Sequence, residues 1–304
     1  MNRGFVKFKN RLELYLLMEL SIIIVNKDTP DITKKAIESA LQTIKEVEFE
    51  VVVVDNSSFK ENVIKPFNEK VKIVKNVVNR GFGNACNIGV RNSSGEVILF
   101  LNSDTVLFQD TVDVAFSFFK KQEKVGALGV RQLLENGKLD AGCKRGFPTP
   151  LNSLYYFLGL SKIFPNSKRF GAYQQTFIDE KDVVEVECIS GAFMLIKKDV
   201  FNLVGGFDED FFLYGEDVDL CYRLKQKGFK NIYYGKVSFL HYKNKSGKND
   251  IKVLESFYNS MNIFYDKHYK NKYPFVVSFI VKMGISLKKF IAKIRLKKVL
   301  SKNG

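Results

Sequence analysis

The chain has 304 residues, of which 45% are hydrophobic and 27% are charged, a composition typical of a globular chain with one large hydrophobic core. Of the formal net charge of +15, +11 falls on residues 267–304, which contain no acid, so a basic nucleic-acid-binding face on the rest of the chain is not indicated. The four cysteines lie far apart and form no CxxC pair, which argues against a zinc site and against a disulfide framework.

Residues 1–18 are expected to form an N-terminal extension ahead of the folded domain, with Met18 as the hypothetical natural start. Basic residues come early and an apolar stretch follows, but Arg11, Glu13 and Glu19 interrupt it and no small-residue cleavage site is present. The pattern therefore resembles that of a signal peptide only weakly. No stretch of the sequence reaches the ~18 uncharged apolar residues of a membrane-spanning helix.

Strands and helices are predicted to alternate through the first half of the chain. Continuous apolar runs rich in β-branched residues predict strands buried on both faces, and apolar residues at helical spacing predict helices between them. This alternation indicates an α/β fold, with a mostly parallel sheet and helices on both of its faces. The predicted strands are 20–25, 49–55, 71–76, 96–101 and 125–130, and the predicted helices are 31–44, 83–93 and 111–121.

The second half of the sequence is less regular. Asn136-Gly137 predicts the turn of a hairpin, and residues 143–182, with three prolines and many aromatics, predict a long loop region with short helices that could cover a site. A regular pattern then returns, first strand-like and then helical. Beyond it the sequence predicts an amphipathic helix at 215–228, a strand at 236–242 and an aromatic-rich helix at 250–270.

Polar side chains follow four of the predicted strands at their carboxyl ends. In a parallel sheet these ends meet at one edge, and such folds bind ligands there. The stretch VILFLNSDTVLF alone fits an Asx turn as well as a metal–phosphate site, but a strand end needs only one turn former, so four polar clusters favour a binding site. The clusters are Asn26, Lys27 and Asp28; Asp55, Asn56 and Ser57; Asn79 and Arg80; and Asn102, Ser103 and Asp104.

The segment VNRGFGNACNIGV is glycine-rich but is not the dinucleotide fingerprint of a Rossmann dehydrogenase. Gly81 and Gly83 supply the first two glycines, whereas Cys86 occupies the third position. The segment also follows the third predicted strand rather than the first, which is where the fingerprint belongs. The glycines would still let the backbone approach a ligand closely.

Six motifs stand in the order and at the spacing of family 2 glycosyltransferases. They are SIIIVN, VVVVDNSS, NRGFGNACNIG, LFLNSD, SGAFMLIKKDVFNLVGGFDEDFFLYGEDVDLCYRLKQKGFK and HYKNKS, within about residues 19–245. The chain most resembles the bacterial rhamnosyltransferase-like members that build cell-surface polysaccharides. The resemblance implies a GT-A fold over residues 19–250, with a nucleotide-binding half at 19–130 and an acceptor half at 131–250, followed by a basic helical tail at 251–304.

The resemblance further implies an inverting transfer from a nucleotide-diphospho-sugar, assisted by Mg²⁺ or Mn²⁺. Asn102-Ser103-Asp104 matches the Asp-x-Asp motif of the family, so Asp104 is expected to hold the metal that bridges the two phosphates. Asn102 departs from the motif and is expected to contact the ribose or a phosphate. His241 matches a position that completes the metal site in many relatives, the alternative being a histidine satisfied at a strand end.

Other matches imply contacts with the nucleotide. Asp55 corresponds to the residue that binds the base or ribose, the segment after the first strand to a loop that packs on the base, and Arg80 to Asn87 to a loop that holds ribose and phosphates. The expected donor-binding residues are Val25, Asn26, Lys27, Asp28, Asp55, Asn79, Arg80, Gly81, Gly83, Asn87, Asn102, Ser103 and Asp104.

An inverting transfer needs one base to accept the proton of the acceptor hydroxyl. The base of the family is the Asp of an ED pair, which is Asp217 here, and Glu216 is expected to orient the acceptor or Asp217. Acids in the first turn of a helix are also favoured by the helix dipole alone. That alternative does not explain the whole run GGFDEDFFLYGEDVD, whose glycines, aromatics and acids suggest a shaped acceptor pocket.

Within the basic tail, residues 273–300 combine apolar bulk with seven cations after Val281, as expected of a helix lying in the headgroup region of an anionic membrane. The alternative is a basic helix packed on the domain. The resemblance implies a lipid-linked saccharide acceptor and a peripheral position on the cytoplasmic face of the membrane, with dTDP-rhamnose as the leading donor. Rival readings are a UDP-sugar donor and a non-catalytic nucleotide-binding or adaptor protein, while nucleic-acid binding is disfavoured and the oligomeric state is left open.

Overall fold

The computed structural model describes residues 18–59, 61, 63–65, 67–243 and 250–303. The expected extension up to residue 17 and residues 244–246 of the last motif lie outside the described residues.

The strands and helices have the following bounds in the described part of the chain. The strands are β1 Leu20–Asn26, β2 Phe49–Asp55, β3 Val71–Lys75, β4 Val97–Leu101, β5 Thr105–Leu107, β6 Val125–Leu133, β7 Lys144–Arg145, β8 Val183–Val186, β9 Cys188–Ile189, β10 Phe193–Lys197 and β11 Lys230–His241. The helices are α1 Pro30–Thr43, α2 Phe82–Arg91, α3 Thr111–Lys120, α4 Pro150–Phe157, α5 Leu160–Ile163, α6 Lys198–Leu203, α7 Glu216–Gln226, α8 Ile251–His268 and α9 Phe275–Asn303.

The main sheet has the strand order β3-β2-β1-β4-β10-β6-β11-β5, and β8 pairs with β11. Within the described residues six of its nine strands run in one direction, and β5, β8 and β10 run against them. The prediction of a mostly parallel α/β sheet is therefore confirmed. The antiparallel strands lie in the second half of the order, so the first four neighbours, β3 to β4, form the purely parallel part.

Alternate residues of the central strands enter two cores, one on each face of the sheet. Ile23 and Val25 belong to the core beneath α2 and α7, whereas Ile22 and Ile24 belong to the core beneath α1 and α3. Both sets are buried, as a strand covered by helices on both faces requires. This double burial explains why these strands are continuous apolar runs in the sequence.

The less regular region contains the predicted hairpin and two short helices. Gly137 adopts φ +73, and Leu134 and Lys138 are joined by a backbone hydrogen bond of 2.9 Å, as expected for the predicted turn. Residues 143–182 contain α4 and α5 within a long irregular stretch. The structure adds β5, a short strand that the sequence did not predict, and it extends the last strand back to Lys230.

The start of α2 packs tightly against the 207–212 loop. Gly81 has φ +107, and a Cβ atom there would lie 2.3 Å from the backbone oxygen of Phe212. The backbone N–H of Phe82 donates to the same oxygen at 2.9 Å. Gly81 thus permits a close approach between two segments of the chain itself.

We predict that Gly81→Ala destabilises the fold by about 2 kcal/mol or more, since the contact with Phe212 adds to the ~1 kcal/mol of a left-handed non-glycine residue. Gly137→Ala is the matched control, because Gly137 is also left-handed but has no atom of the described chain within 4 Å of the added Cβ. The control should lose only ~1 kcal/mol. Urea denaturation followed by circular dichroism compares the two, and equal losses would contradict the close approach.

Candidate active site

The predicted polar clusters meet at one edge of the sheet. The carboxyl ends of β1, β2, β4 and β11 lie at this edge together with the beginnings of β5 and β10. The register of β5 on β11 sets His241 opposite Thr105, directly after Asp104. A strand missing from the sequence-based prediction thus brings Asp104 to His241.

Asp104 and His241 contact each other at this edge. His241 Nε2 lies 2.9 Å from Asp104 Oδ1, and the two side chains are only 9% and 15% exposed. The backbone N–H of Tyr242 also donates to the Asp104 carbonyl oxygen at 2.9 Å, which fixes the two segments to each other. Asn102 Nδ2 lies 3.5 Å from the same imidazole nitrogen.

A buried network behind His241 fixes its orientation. Gln132 Nε2 lies 2.5 Å from His241 Nδ1 and 2.6 Å from Asp140 Oδ2. Because a carboxylate can only accept, the amide nitrogen of Gln132 is the group that donates to both, and Nε2 of the imidazole faces Asp104. Burial alone would raise the pKa of Asp140, but hydrogen bonds from Lys243 and the Gly142 backbone lower it.

The Asp104–His241 pair fits a divalent cation that arrives with a phosphate ligand. The described residues contain no group of three or more His, Cys, Asp or Glu that could hold a metal by themselves. Mg²⁺ in nucleotide sites usually takes one or two carboxylates and completes its coordination with water and substrate phosphates. A carboxylate and an imidazole nitrogen that converge at a half-enclosed edge suit this arrangement, and Asn102 lies within reach of it.

Asp217 lies in the first turn of α7 and is paired with a buried arginine. Arg145 Nη2 donates to Asp217 Oδ2 at 2.5 Å, and the Gly191 backbone N–H donates to the same oxygen at 3.2 Å. Burial disfavours the charge of Arg145, but the Asp217 carboxylate holds the pKa of the guanidinium above its ordinary value. Within the described residues Oδ1 accepts only from the adjacent Val218 N–H, so it has a second lone pair for another donor.

Glu216 has a different environment from its neighbour Asp217. Glu216 is 7% exposed and lies beneath α2. A Cβ atom added at Gly83 of α2 would lie 3.8 Å from the Cβ atom of Glu216. Its Oε2 has no hydrogen-bond partner within the described part of the chain. Burial, followed by the nearby Asp217 charge, raises the pKa of Glu216 to about 8. Glu216 is therefore protonated at neutral pH and is not available as a base.

Tyr214 lies near both ends of the site. Burial, and then the charges of Glu216 and Asp104, raise the pKa of its hydroxyl, so this side chain lies within electrostatic range of both acids. Tyr214 has φ +69 and is followed by Gly215 at φ +85. A left-handed tyrosine is an uncommon backbone conformation, of the kind that accumulates at functional sites.

A short turn joins the Asp104 end of the site to the Asp217 end. The Ala192 carbonyl oxygen accepts from the Asn102 backbone N–H at 3.0 Å, while the adjacent Gly191 N–H donates to Asp217. Residues 190–192 lead directly into β10, which pairs with β4. The two candidate centres are therefore attached to neighbouring strands of one sheet.

The expected nucleotide residues after β1 and β2 bond mainly to one another. Asn26 is fully buried, and its amide donates to Asp55 Oδ1 at 3.2 Å and to Ser57 Oγ at 2.8 Å. Asp55 also accepts from the backbone of Ser57 and Ile64. These side chains shape the loop at the sheet edge, and contact of Asp55 with a base or ribose stays a prediction.

Other expected donor-binding residues occupy the same edge. Lys27 is paired with Asp28, which is left-handed at φ +56 and accepts from the Ser58 backbone N–H at 2.8 Å. Val25 is buried in the sheet, and Ser103 lies in the turn between β4 and β5. Asn79 accepts from the Gly81 N–H at 3.0 Å, and Arg80 is exposed beside it.

Asn87 is attached to the chain rather than directed to the open edge. It donates to Glu209 at 3.0 Å and exchanges two hydrogen bonds with the Phe207 backbone. Asn84 donates to the other Glu209 oxygen at 2.8 Å, and these amide hydrogen bonds lower the pKa of Glu209. Together with the close approaches at Gly81 and Gly83, Asn87 holds the 207–212 loop, so the structure gives these residues a role that the sequence analysis did not.

Sequence reasoning missed four residues of the site: Gln132, Asp140, Arg145 and Tyr214. Arg145 is 72 positions from Asp217, and Gln132 is 109 positions from His241. Nothing in the local sequence of these residues indicates their partners. Only Tyr214, directly ahead of a glycine and the ED pair, stands in a segment that the motif analysis had marked.

The comparisons with known proteins give a family match and a structural likeness. The family model described as "Glycosyl transferase family 2" matches residues 21–205, about three fifths of the chain. The match includes Asp104 and ends before Asp217 and His241. Alongside it, the mannosyltransferase PcManGT from Pyrobaculum calidifontis, solved with GDP-Man and Mn²⁺, covers 86% of this chain and 71% of its own at a TM-score of 0.56 and 14% identity. This structural likeness shows the GT-A fold.

Two curated relatives are similar in sequence. The O-antigen biosynthesis protein RfbC of Myxococcus xanthus is 28% identical over 238 residues, which are 76% of this chain and 18% of that protein. The N-acetylglucosaminyl-diphospho-decaprenol L-rhamnosyltransferase of Mycobacterium tuberculosis is 26% identical over 211 residues, which are 65% of this chain and 68% of that protein. The chain thus spans less than a fifth of the first relative and about two thirds of the second.

We predict that Glu216→Gln changes the pH dependence of stability. Because the folded-state pKa of Glu216 is raised to about 8, its protonated form favours folding at low pH, and this contribution is lost as the pH rises through 8. Glutamine resembles the neutral acid and does not ionise. The wild type loses this contribution between the ordinary carboxyl pKa of 4.5 and about 8, so the variant should nearly match it at pH 5 and be more stable by roughly 4 kcal/mol at pH 9.

Thermal unfolding between pH 5 and pH 9 measures this difference. Glu123→Gln, at an exposed acid beyond α3, is the control and should follow the wild type throughout. Parallel curves for the wild type and Glu216→Gln would show that Glu216 is not held protonated.

Proposed function

Because the chain belongs to glycosyl transferase family 2, we propose that it transfers a sugar, with inversion, from a nucleotide-diphospho-sugar to a saccharide acceptor carried on a lipid. The observation that carries the proposal is the turn at Gly191–Ala192, which connects an Asp–His pair suited to a cation with a carboxylate suited to a base. A protein that only binds a nucleotide has no need of that second carboxylate.

Asp217 is the base in this proposal. The acceptor hydroxyl oxygen forms the new bond to the anomeric carbon, the bond to the diphosphate breaks, and the hydroxyl proton passes to Asp217 Oδ1. Arg145 and the Gly191 N–H donate to Oδ2 and hold the carboxylate in place. Glu216 is protonated and buried, and Asp219 is fully buried against Arg223, Lys267 and His268, so neither competes for this role.

Asp104 and His241 would hold the cation, Mg²⁺ or Mn²⁺, in this proposal. The ion supplies positive charge opposite the leaving diphosphate. Gln132 and Asp140 hold the imidazole from behind; for Nε2 to bind the cation, the ring proton would lie on Nδ1 and the Gln132 amide would turn so that Oε1 accepts it. The solved neighbour with bound Mn²⁺ supports a divalent ion without distinguishing the two metals.

The relatives support rhamnose as the leading sugar and a lipid-linked acceptor. One is named for O-antigen biosynthesis and another as a rhamnosyltransferase acting on a diphospho-decaprenol carrier. We therefore propose dTDP-rhamnose as the first donor to test. A UDP-sugar is the second candidate, since the residues at the sheet edge contain nothing specific to one base.

The tail helix α9 supports attachment to an anionic membrane surface. Its inner side packs on α8, where Tyr265 and Ser278 are joined by a 2.9 Å hydrogen bond. Its outer side presents an apolar stripe to solvent, made of Val276, Phe279, Ile280, Met283, Leu287, Phe290 and Ile294. No helix in the described part of the chain is long and apolar enough to cross a bilayer. We propose that α9 lies on the cytoplasmic leaflet with this stripe against the lipid.

We predict that Asp217→Asn lowers the rate of transfer by roughly 10²–10⁴-fold, because asparagine keeps the size of the side chain but cannot accept the proton. Donor binding should be nearly unchanged, since the donor residues lie at the Asp104 end. Initial rates and calorimetric donor binding are measured side by side. Transfer within a few-fold of wild type would remove Asp217 as the base.

We predict that Asp104→Ala removes the part of nucleotide affinity that depends on Mn²⁺. Calorimetric titration of dTDP and UDP, with Mn²⁺ or with a chelator, should give equal affinities for the variant and unequal affinities for the wild type. His241→Ala should retain a reduced Mn²⁺ effect, because one of several ligands is lost.

Glu123→Ala, at an exposed acid that precedes β6 on the opposite edge of the sheet, is the control for these titrations. A full Mn²⁺ effect in Asp104→Ala would show that the cation binds elsewhere.

A further inference from the structure

The segment 150–164, which we call the 150–164 hairpin, carries its apolar side chains on the outside. Leu151 and Leu154 are each 50% exposed, Leu158 is 61% exposed and Ile163 is 65% exposed. Leu151 and Leu154 lie on one face of α4, and Leu158, directly after the helix, continues the same three- and four-residue spacing. A helix on a globular protein normally turns such a face toward the core. Exposed apolar residues that lie together in this way are typical of an interaction surface.

The hairpin is held in this orientation by its inner side. Tyr155 is buried, its ring packs on Phe170 at 5.0 Å, and its hydroxyl accepts from Arg169 Nε at 3.0 Å. Ser161 is also buried and bonds to Gln174 at 3.2 Å. The outward direction of the leucines is thus fixed by packing and hydrogen bonds.

The hairpin and α9 expose their apolar residues side by side. Lys288 of α9 lies 5.1 Å from the ring centre of Phe157 at the end of α4. Lys288 follows Leu287 of the exposed stripe, so α4 and α9 meet at this point and their exposed apolar residues lie on the same side of the sheet. Two separate parts of the chain contribute apolar residues to this side.

Charge indicates what covers this surface. Residues 150–178 contain three Lys or Arg and no acid, and residues 267–304 contain eleven and no acid. Apolar side chains bordered by cations alone are complementary to an anionic lipid bilayer, in which the apolar groups enter the acyl boundary and the cations remain among the headgroups. We infer that the 150–164 hairpin is a second membrane-inserting element beside α9.

This placement brings the proposed base close to the lipid surface. Tyr156 of the hairpin packs on Tyr173 at 5.0 Å, and the Tyr173 carbonyl oxygen accepts from the Gly146 N–H at 2.8 Å. The residue before Gly146 is Arg145, which holds Asp217. The hairpin therefore fixes the distance between the bilayer and the carboxylate that receives the acceptor hydroxyl. The inference rests on the proposed function for the identity of that acceptor, but the membrane contact itself does not.

The chain contains no tryptophan, so single-tryptophan variants report on each surface separately. Leu154→Trp reports on the hairpin, Leu287→Trp on α9, and Val114→Trp, at a 38% exposed position of α3 on the other face of the sheet, is the control. On vesicles of phosphatidylglycerol and phosphatidylcholine, Leu154→Trp and Leu287→Trp emission should shift to shorter wavelength and be quenched by brominated lipid. Val114→Trp emission should not change.

If Leu287→Trp responds and Leu154→Trp does not, α9 binds alone and the inference is overturned. If Leu154→Trp emission shifts with protein concentration in the absence of vesicles, a second copy covers the hairpin, and the inference is again overturned. Donor binding by the same variants is measured in parallel, so failure of the membrane contact and failure of the proposed transferase function give different results.

A charge variant gives an independent test. Leu154→Glu should weaken vesicle binding about tenfold, because an apolar side chain that enters the lipid is replaced by a charge of the same sign as the lipid headgroups. It should raise the KM for a lipid-linked acceptor in vesicles and leave transfer to a soluble acceptor analogue unchanged. Val114→Glu, which adds the same charge elsewhere, should do neither. Equal vesicle binding by the two variants would contradict the inference.

Discussion

The attachment of α2 to the 207–212 loop is the constraint on which the rest of the site depends. Asn84 and Asn87 bind both oxygens of Glu209, and the start of α2 closes on Phe212. These contacts join the parallel part of the sheet to the segment that leads into α7. The 207–212 loop is hydrogen-bonded to α2 on one side and leads into α7 on the other. Asp217, in the first turn of α7, therefore has a fixed position relative to the strand ends that carry Asp104.

The neighbouring acids of α7 show how burial and pairing separate two chemically similar groups. Glu216 is buried with no cationic side chain bonded to it and keeps its proton at neutral pH, whereas Asp217 accepts a hydrogen bond from the Arg145 guanidinium. A raised pKa at one of two adjacent acids is a common basis for assigning distinct roles to them. Here burial and pairing leave one carboxylate at the junction of the two halves, with a free acceptor direction on Oδ1.

The sequence predicted the strands and helices well because their patterns are local. A strand buried on both faces, such as Ile22 to Val25, must be a continuous apolar run wherever it occurs. The sequence named candidate residues for the site, and their roles toward a ligand stay predictions. Asn87 and Gly81 lie in a segment that resembles a ligand loop, yet they bind the chain itself, and Arg145 and Gln132 reach their partners only through pairings of distant strands. No local pattern encodes those contacts.

The basic tail shows the same limit from the side of charge. In the sequence all cations of the tail contribute equally to the net charge. In the structure Lys282 pairs with Asp266 and Lys293 pairs with Glu255, and these two ion pairs hold α9 against α8. Other cations, including Lys288, border the exposed apolar stripe. The positive charge available to an external surface is therefore smaller than the number of Lys and Arg residues implies. The position of the remaining cations decides which surface they favour. Cations beside exposed leucines and phenylalanines favour a lipid surface, whereas cations alone would bind any polyanion.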